Sequence, residues 1–171
     1  MRLKPLLLSA LVAAGCTTVA SPLLVPEALA VEGTIGGSVS ITAAGSAKRA
    51  YIMRPLVPAE AIEEALTAAV QAAGLFDEVV PADGDRLLTV TLERLDEPEI
   101  GIDQTCTVTL AWRLSTGDRA RTLWEERITT TRTVNSLDEL DSEARGQLAI
   151  EGAIRRNLRQ GIERLSRESY E

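Results

Sequence analysis

Two cysteines, Cys16 and Cys106, are the strongest nucleophiles in this 171-residue chain, and the chain holds no histidine to activate either one. Without histidine, Ser-His-Asp and Cys-His catalysis, imidazole proton shuttles and His-ligated zinc or haem sites are excluded. Cys106 lies in an alternating apolar run with no basic cluster beside it, which predicts a small buried side chain rather than a reactive thiol. Carboxylates gather at Asp96, Glu97, Glu99 and Asp103, but the spacing and central glycine of a calcium loop are missing, so a solvated connection is expected. Asp83-Gly84-Asp85 reads as a turn. Glu125 and Glu126 are adjacent in a strand pattern, hence on opposite faces, and cannot act as a close acid/base couple. With no nucleophile motif, phosphate loop or metal spacing, the expectation is a non-enzyme with no cofactor and no metal.

Cys16 has a different chemistry open to it. Residues 1–16 read MRLKPLLLSALVAAGC: Arg2 and Lys4 precede an apolar stretch of about 11 residues, too short for a bilayer span of roughly 20. The ending Ala13-Ala14-Gly15-Cys16 resembles a bacterial lipobox, with Ala13 where leucine is more usual. In that reading the Cys16 sulfur takes a diacylglycerol and its freed amine a further chain, enough for stable anchoring. Thr17, rather than aspartate, follows the cysteine, which in the Gram-negative sorting pattern implies the outer membrane, on its periplasmic face. Loss of Arg2 and Lys4 leaves 16 basic against 25 acidic residues, a formal charge of −9. So acidic a balance argues against nucleic acid as a partner.

The remaining chain divides into a tail and one domain. Residues 16–37 hold the modified cysteine and a segment with Pro22, Pro26, Gly33, Gly36 and Gly37, read as a flexible tether of roughly 25 Å, although Leu23-Leu24-Val25 suits packing on the domain or lying in a partner's groove. Residues 38–171 are read as a single periplasmic α+β domain. Ser38–Thr42 alternates as a strand. Pro58 opens a helix whose Ile62, Ala65, Leu66, Ala69, Val70 and Ala73 form a stripe, and Gly74 stops it. A short apolar return follows at 75–80. Two long strands and a third over 121–134 come next, the clearest being 105–114 with Cys106, Val108, Leu110, Trp112 and Leu114 on one face. Asp138, Asp141 and Ser142 are cap candidates for a last helix striped by Ile150, Ile154, Leu158, Ile162 and Leu165. Its other face offers Glu151–Arg155, Arg159–Glu163, Glu163–Arg167 and Arg164–Glu168 at i,i+4. The expected fold is α+β, in β-α-β-β-β-β-α order, a mainly antiparallel sheet of about four strands with two helices on one face.

That arrangement leaves one sheet face open. Thr105, Thr107 and Thr109, with Thr129, Thr131 and Thr133 on the next strand, give it an uncharged hydroxyl surface. The bland reading is β propensity on a solvated face; the functional one is a docking surface for an envelope protein or lipid headgroup. The last strand is also a candidate edge for a partner strand.

The lipobox, the tether, AEAIEEALTAAVQAAGLFDEVV, LLTVTLERLDEP, TCTVTLAWRL, LWEERITTT and the closing AIEGAIRRNLRQGIERLS together resemble small Gram-negative envelope lipoproteins. In layout they are similar to the ABC-transport auxiliary lipoproteins and, more distantly, to the lipoprotein that plugs the lipopolysaccharide-insertion barrel. The resemblance spans roughly 38–166 and implies a non-catalytic accessory or adaptor in envelope lipid transport or assembly. It carries over no catalytic residue. The alternative is a carrier holding an acyl chain between helices and sheet, in a cavity under Leu66, Val70, Trp112 and Ile154.

Overall fold

A computed structural model describes residues 19–45, 57–168 and 170. Strand β1 (Ser38–Ala44) is followed by helix α1 (Ala59–Ala73), short strand β2 (Glu78–Val80), long strands β3 (Arg86–Asp96), β4 (Gln104–Thr116) and β5 (Thr122–Val134), and helix α2 (Ser142–Leu165). The fold is α+β and the order is the expected one. The sheet differs from expectation in strand number and sense: it has five strands, in the order β2-β1-β3-β4-β5, and β1 runs parallel to both neighbours. The α1 crossover forces β1 and β2 to run the same way. The chain then returns past β1 through residues 81–85 to start β3 on its other side. Gly84 makes that crossing possible: a Cβ there would lie 2.6 Å from the Ser40 nitrogen. Asp85 secures it, its carboxylate accepting from the Ser38 amide (2.9 Å) and hydroxyl (2.8 Å).

β3, β4 and β5 form the antiparallel meander. Along β4 the residues Cys106, Val108, Leu110, Trp112 and Leu114 are buried as the alternation predicts, and they form one cluster with Leu88, Val90 and Ile41. α1 lies over β1 and β2, while α2 lies over β4 and β5. Both stripes are buried, apart from the half-buried Ala73 at the end of the first. Gly161 shows how closely α2 approaches the sheet, since a Cβ there would come within 2.2 Å of the Trp112 ring. Asn157 adds polar specificity: its Oδ1 accepts from Trp112 Nε1 (3.1 Å) and its Nδ2 donates to the Ile128 carbonyl (2.8 Å). Asp141 is the cap of α2, accepting from the Ala144 amide at 2.8 Å.

The described part of the stretch read as a flexible tether is instead docked. A 3-10 turn at Ser21–Leu24 touches both α1 and α2, with Leu24 fully buried and Val19 2% exposed. Wedging apolar side chains into the furrow between two helices removes them from water, which outweighs the flexibility that proline and glycine confer on an isolated segment. Arg155 Nη2 and Nε donate to the Leu23 carbonyl at 2.6 and 3.0 Å. Farther on, the Ala30 amide reaches Glu163, the Glu32 amide donates to Ser166 Oγ (3.2 Å), and the Ile35 amide donates to the Leu75 carbonyl (2.7 Å). None of the four i,i+4 pairs expected on α2 is among the ion pairs of the described residues. Arg164 and Arg167 pair instead with Glu126 of β5 and Glu32 of the docked segment.

Candidate functional site

Cys16 lies outside the described residues, as does Thr17. The threonines lie on the open sheet face in direct cross-strand register: Thr105 opposite Thr133, Thr107 opposite Thr131, Thr109 opposite Thr129. Their hydroxyls are bonded in pairs at 2.8, 3.0 and 2.9 Å. A fourth pair, Thr42 with Thr89 (3.3 Å), extends the hydroxyl surface to β1. The face continues into charge. Glu93 shares the open face with Thr89 and Thr91, beside a bulge between Leu92 and Arg94, and meets Arg127, two strands away, in a bidentate pair at 2.5 and 2.8 Å. Ala111, which faces Arg127 in register, leaves room for that reach. The Arg127 guanidinium holds the Glu93 carboxyl below its ordinary value. Arg113 pairs with Glu125 beside it. The arrangement is hydroxyls satisfying one another beside paired charges. Among the described residues, no group of three or more His, Cys, Asp or Glu side chains is placed to hold a metal ion.

Two further features go beyond the sequence reading, which takes the carboxylates of residues 96–103 only as a solvated connection. The first is at one end of the domain, where residues 97–103 and 135–141 lie side by side. Arg145, buried on the first turns of α2, donates to the carbonyls of Glu139 and Leu140 (both 2.7 Å) and of Gly101 (3.2 Å). One guanidinium thereby clamps both loops, using the five-donor fork that suits arginine to such a task. Gln104 reinforces the junction by donating to the Ser142 carbonyl at 2.8 Å. The clamped loops hold their large apolar side chains outward: Ile100 is 76% exposed, Ile102 74%, Leu137 95% and Leu140 86%. Carboxylates of Glu99, Asp103, Asp138 and Glu139 surround them in sequence.

The second is a cleft of about 490 Å³ lined by Arg132, Arg155, Arg156 and Arg159, with Pro26, Ala28, Val134 and Leu148 as its apolar part and Glu27 and Asp138 also lining it. Gly152 shapes it, because the stem of Arg132 lies where a Cβ would be, 2.9 Å from Cγ. Arg156 donates to the Thr131 carbonyl (2.9 Å). The five ion pairs among the described residues use Arg94, Arg113, Arg127, Arg164 and Arg167; no arginine of the cleft takes part in one. These residues come from β5, the 135–141 connection, α2 and the docked segment, so only the folded chain brings them together. The one sequence signal was Arg155-Arg156 followed by Arg159, like charges three and four apart.

No protein-family model and no curated protein matches the chain. Solved structures do. A Xanthomonas campestris protein of the DUF330 family is similar with a TM-score of 0.60 at 13% identity, over 82% of this chain and 90% of that one. The Chlamydia trachomatis protein CT253 gives 0.57 at 7% identity, over 77% and 96%. PelC of Paraburkholderia phytofirmans, a dodecamer, gives 0.50 at 14% identity, over 84% and 95%. At these identities the likeness is one of fold: the two-helix, mixed-sheet layout recurs in bacterial chains of nearly the same extent.

Proposed function

We propose that the chain is a lipoprotein held by Cys16 in the outer membrane, facing the periplasm, where it serves as a non-catalytic adaptor in envelope lipid transport or assembly. The observation that carries this reading is the docked amino-terminal segment. Val19 is buried in the domain and stands three residues after Cys16, a reach of at most roughly 11 Å. A lipid on Cys16 therefore presses the folded domain against the bilayer instead of leashing it at a distance. The open threonine face, whose hydroxyls engage one another, supports an adaptor over an enzyme. The carrier reading is less well supported: Leu66, Val70, Trp112 and Ile154 are packed in the common core at 1% exposure or less, and Leu24 fills the furrow above them. An acyl chain would enter only where Leu24 is displaced.

The test is fatty-acid labelling with membrane fractionation of the native chain and of Cys16→Ser. The native chain is expected to take label and travel with outer membranes, and the variant to stay unlabelled and unprocessed or soluble. Failed labelling of the native chain with unchanged fractionation of the variant refutes the anchor. For the adaptor role, cross-linking in intact envelopes is expected to recover a transporter, barrel or assembly protein, and recovery of no specific partner refutes it.

A further inference from the structure

The clamped loops and the arginine cleft are complementary surfaces on one molecule. The loop Glu99–Asp103 carries two isoleucines, each more than 70% exposed, between two carboxylates. The cleft offers an apolar wall with four guanidinium groups against two carboxylates, Glu27 and Asp138, and none of the four is in an ion pair among the described residues. Both features are unfavourable in an isolated chain. Exposed large apolar side chains clustered at one end mark an interaction surface, and unpaired like charges crowded on successive turns of a helix repel. That this happens in a chain with 25 acidic and 18 basic residues sharpens the point, because carboxylates to pair with are in excess. We propose that the acidic, isoleucine-bearing β3–β4 loop of one copy seats in the arginine cleft of a second copy.

The fit has three parts. Ile100 and Ile102 meet Leu148 and Ala28, so that apolar area leaves water on both sides. Glu99 and Asp103 reach Arg156 and Arg159, where guanidinium and carboxylate form charge-assisted, bidentate bonds. The loop is held ready by Arg145, so little conformational freedom is lost on docking. A bilayer is the poorer occupant of the loop tips, since the surrounding carboxylates repel an anionic surface. Loop and cleft are different patches, so each copy offers both, and the contact closes either reciprocally in a dimer or successively around a ring.

The experiment uses full-length Cys16→Ser, which removes the anchor from the question, in sedimentation velocity and native mass spectrometry across a concentration series. The parent is expected to form a defined oligomer that dissociates with salt. Glu99→Arg/Asp103→Arg reverses the loop and Arg156→Glu/Arg159→Glu reverses the cleft; each weakens association at least tenfold. Mixing the two variants restores it to within about threefold, because each reversed surface then meets its reversed partner. Arg119→Glu, outside both surfaces, is expected to change association less than threefold. A parent that stays monomeric at all concentrations, a mixture that fails to recover, or an equal loss from Arg119→Glu overturns the proposal. Acyl labelling is unaffected by any of these outcomes, so failure here and failure of the anchor are told apart.

Discussion

Replacing Leu24 by alanine tests whether the amino-terminal segment belongs to the core. The side chain is fully buried between the two helices, and the change removes three carbons. At about 0.8 kcal/mol per buried methylene the transfer loss is about 2.4 kcal/mol. The cavity left behind brings the total to about 3–5 kcal/mol if the surroundings hold still. The segment has a cheaper escape, which is to undock, giving up the two Arg155 bonds to the Leu23 carbonyl. We therefore expect the low end, about 3 kcal/mol, which for a chain of this size lowers the melting temperature by roughly 6–12 °C. Urea melts measure the loss, and amide exchange locates it: peptides covering 19–35 should open about 100-fold more often, while the centre of α2 keeps its protection. A stability change below about 0.5 kcal/mol with unchanged exchange over 19–35 would refute the wedge, and with it the short leash on Cys16.

Asn157→Leu keeps the volume but orphans the Trp112 indole N–H and withdraws a donor from the Ile128 carbonyl. It is expected to cost about 2–4 kcal/mol in urea melts, and adding Trp112→Phe should cost less than the two single changes together, since the orphaned donor is then gone. Acid should also weaken the fold. Asp85, Glu93 and Asp118 have lowered carboxyl values, caused first by the Ser38 amide, the Arg127 guanidinium and the Thr116 hydroxyl respectively. A depressed folded value stabilises above the unfolded one and is lost as pH falls through the folded one, so urea midpoints should be level from about pH 7 to about pH 5 and drop below about pH 4. Asp85→Asn should flatten part of that drop; an unchanged slope would count against the Ser38 clamp.

Local periodicity carried much of this architecture. The alternation at 105–114, the α1 stripe ending at Gly74 and the α2 stripe are each a property of neighbouring residues, and each reappears as the buried face of its element. The threonines were legible for the same reason, and the meander added what parity alone does not: which hydroxyl faces which. What was not legible depends on residues far apart in the chain. Nothing in Ser38–Thr42 says that it will be flanked by two strands parallel to it, because the first follows from the α1 crossover and the second from a crossing at Gly84 more than 40 residues later. Leu23-Leu24-Val25 shows no period, so packing on the domain is only one alternative for it, and the burial of Leu24 exists only once both helices are in place. The α2 arginines looked like helix-surface pairs, but carbonyls and carboxylates of other elements lay within reach. The cleft follows from that same redistribution.

The docked segment also orders events in time. Residues 19–37 are synthesised well before their partners on α2, at Arg155, Glu163, Ser166 and Arg167. The β3–β4–β5 meander needs only hairpin contacts and can form early, whereas β1 waits for β3 and the wedge waits for α2. Until α2 is complete, the furrow stays empty and residues 19–37 stay undocked. A chain cut short within α2 would expose an unfilled apolar furrow, the kind of surface that makes incomplete chains aggregate.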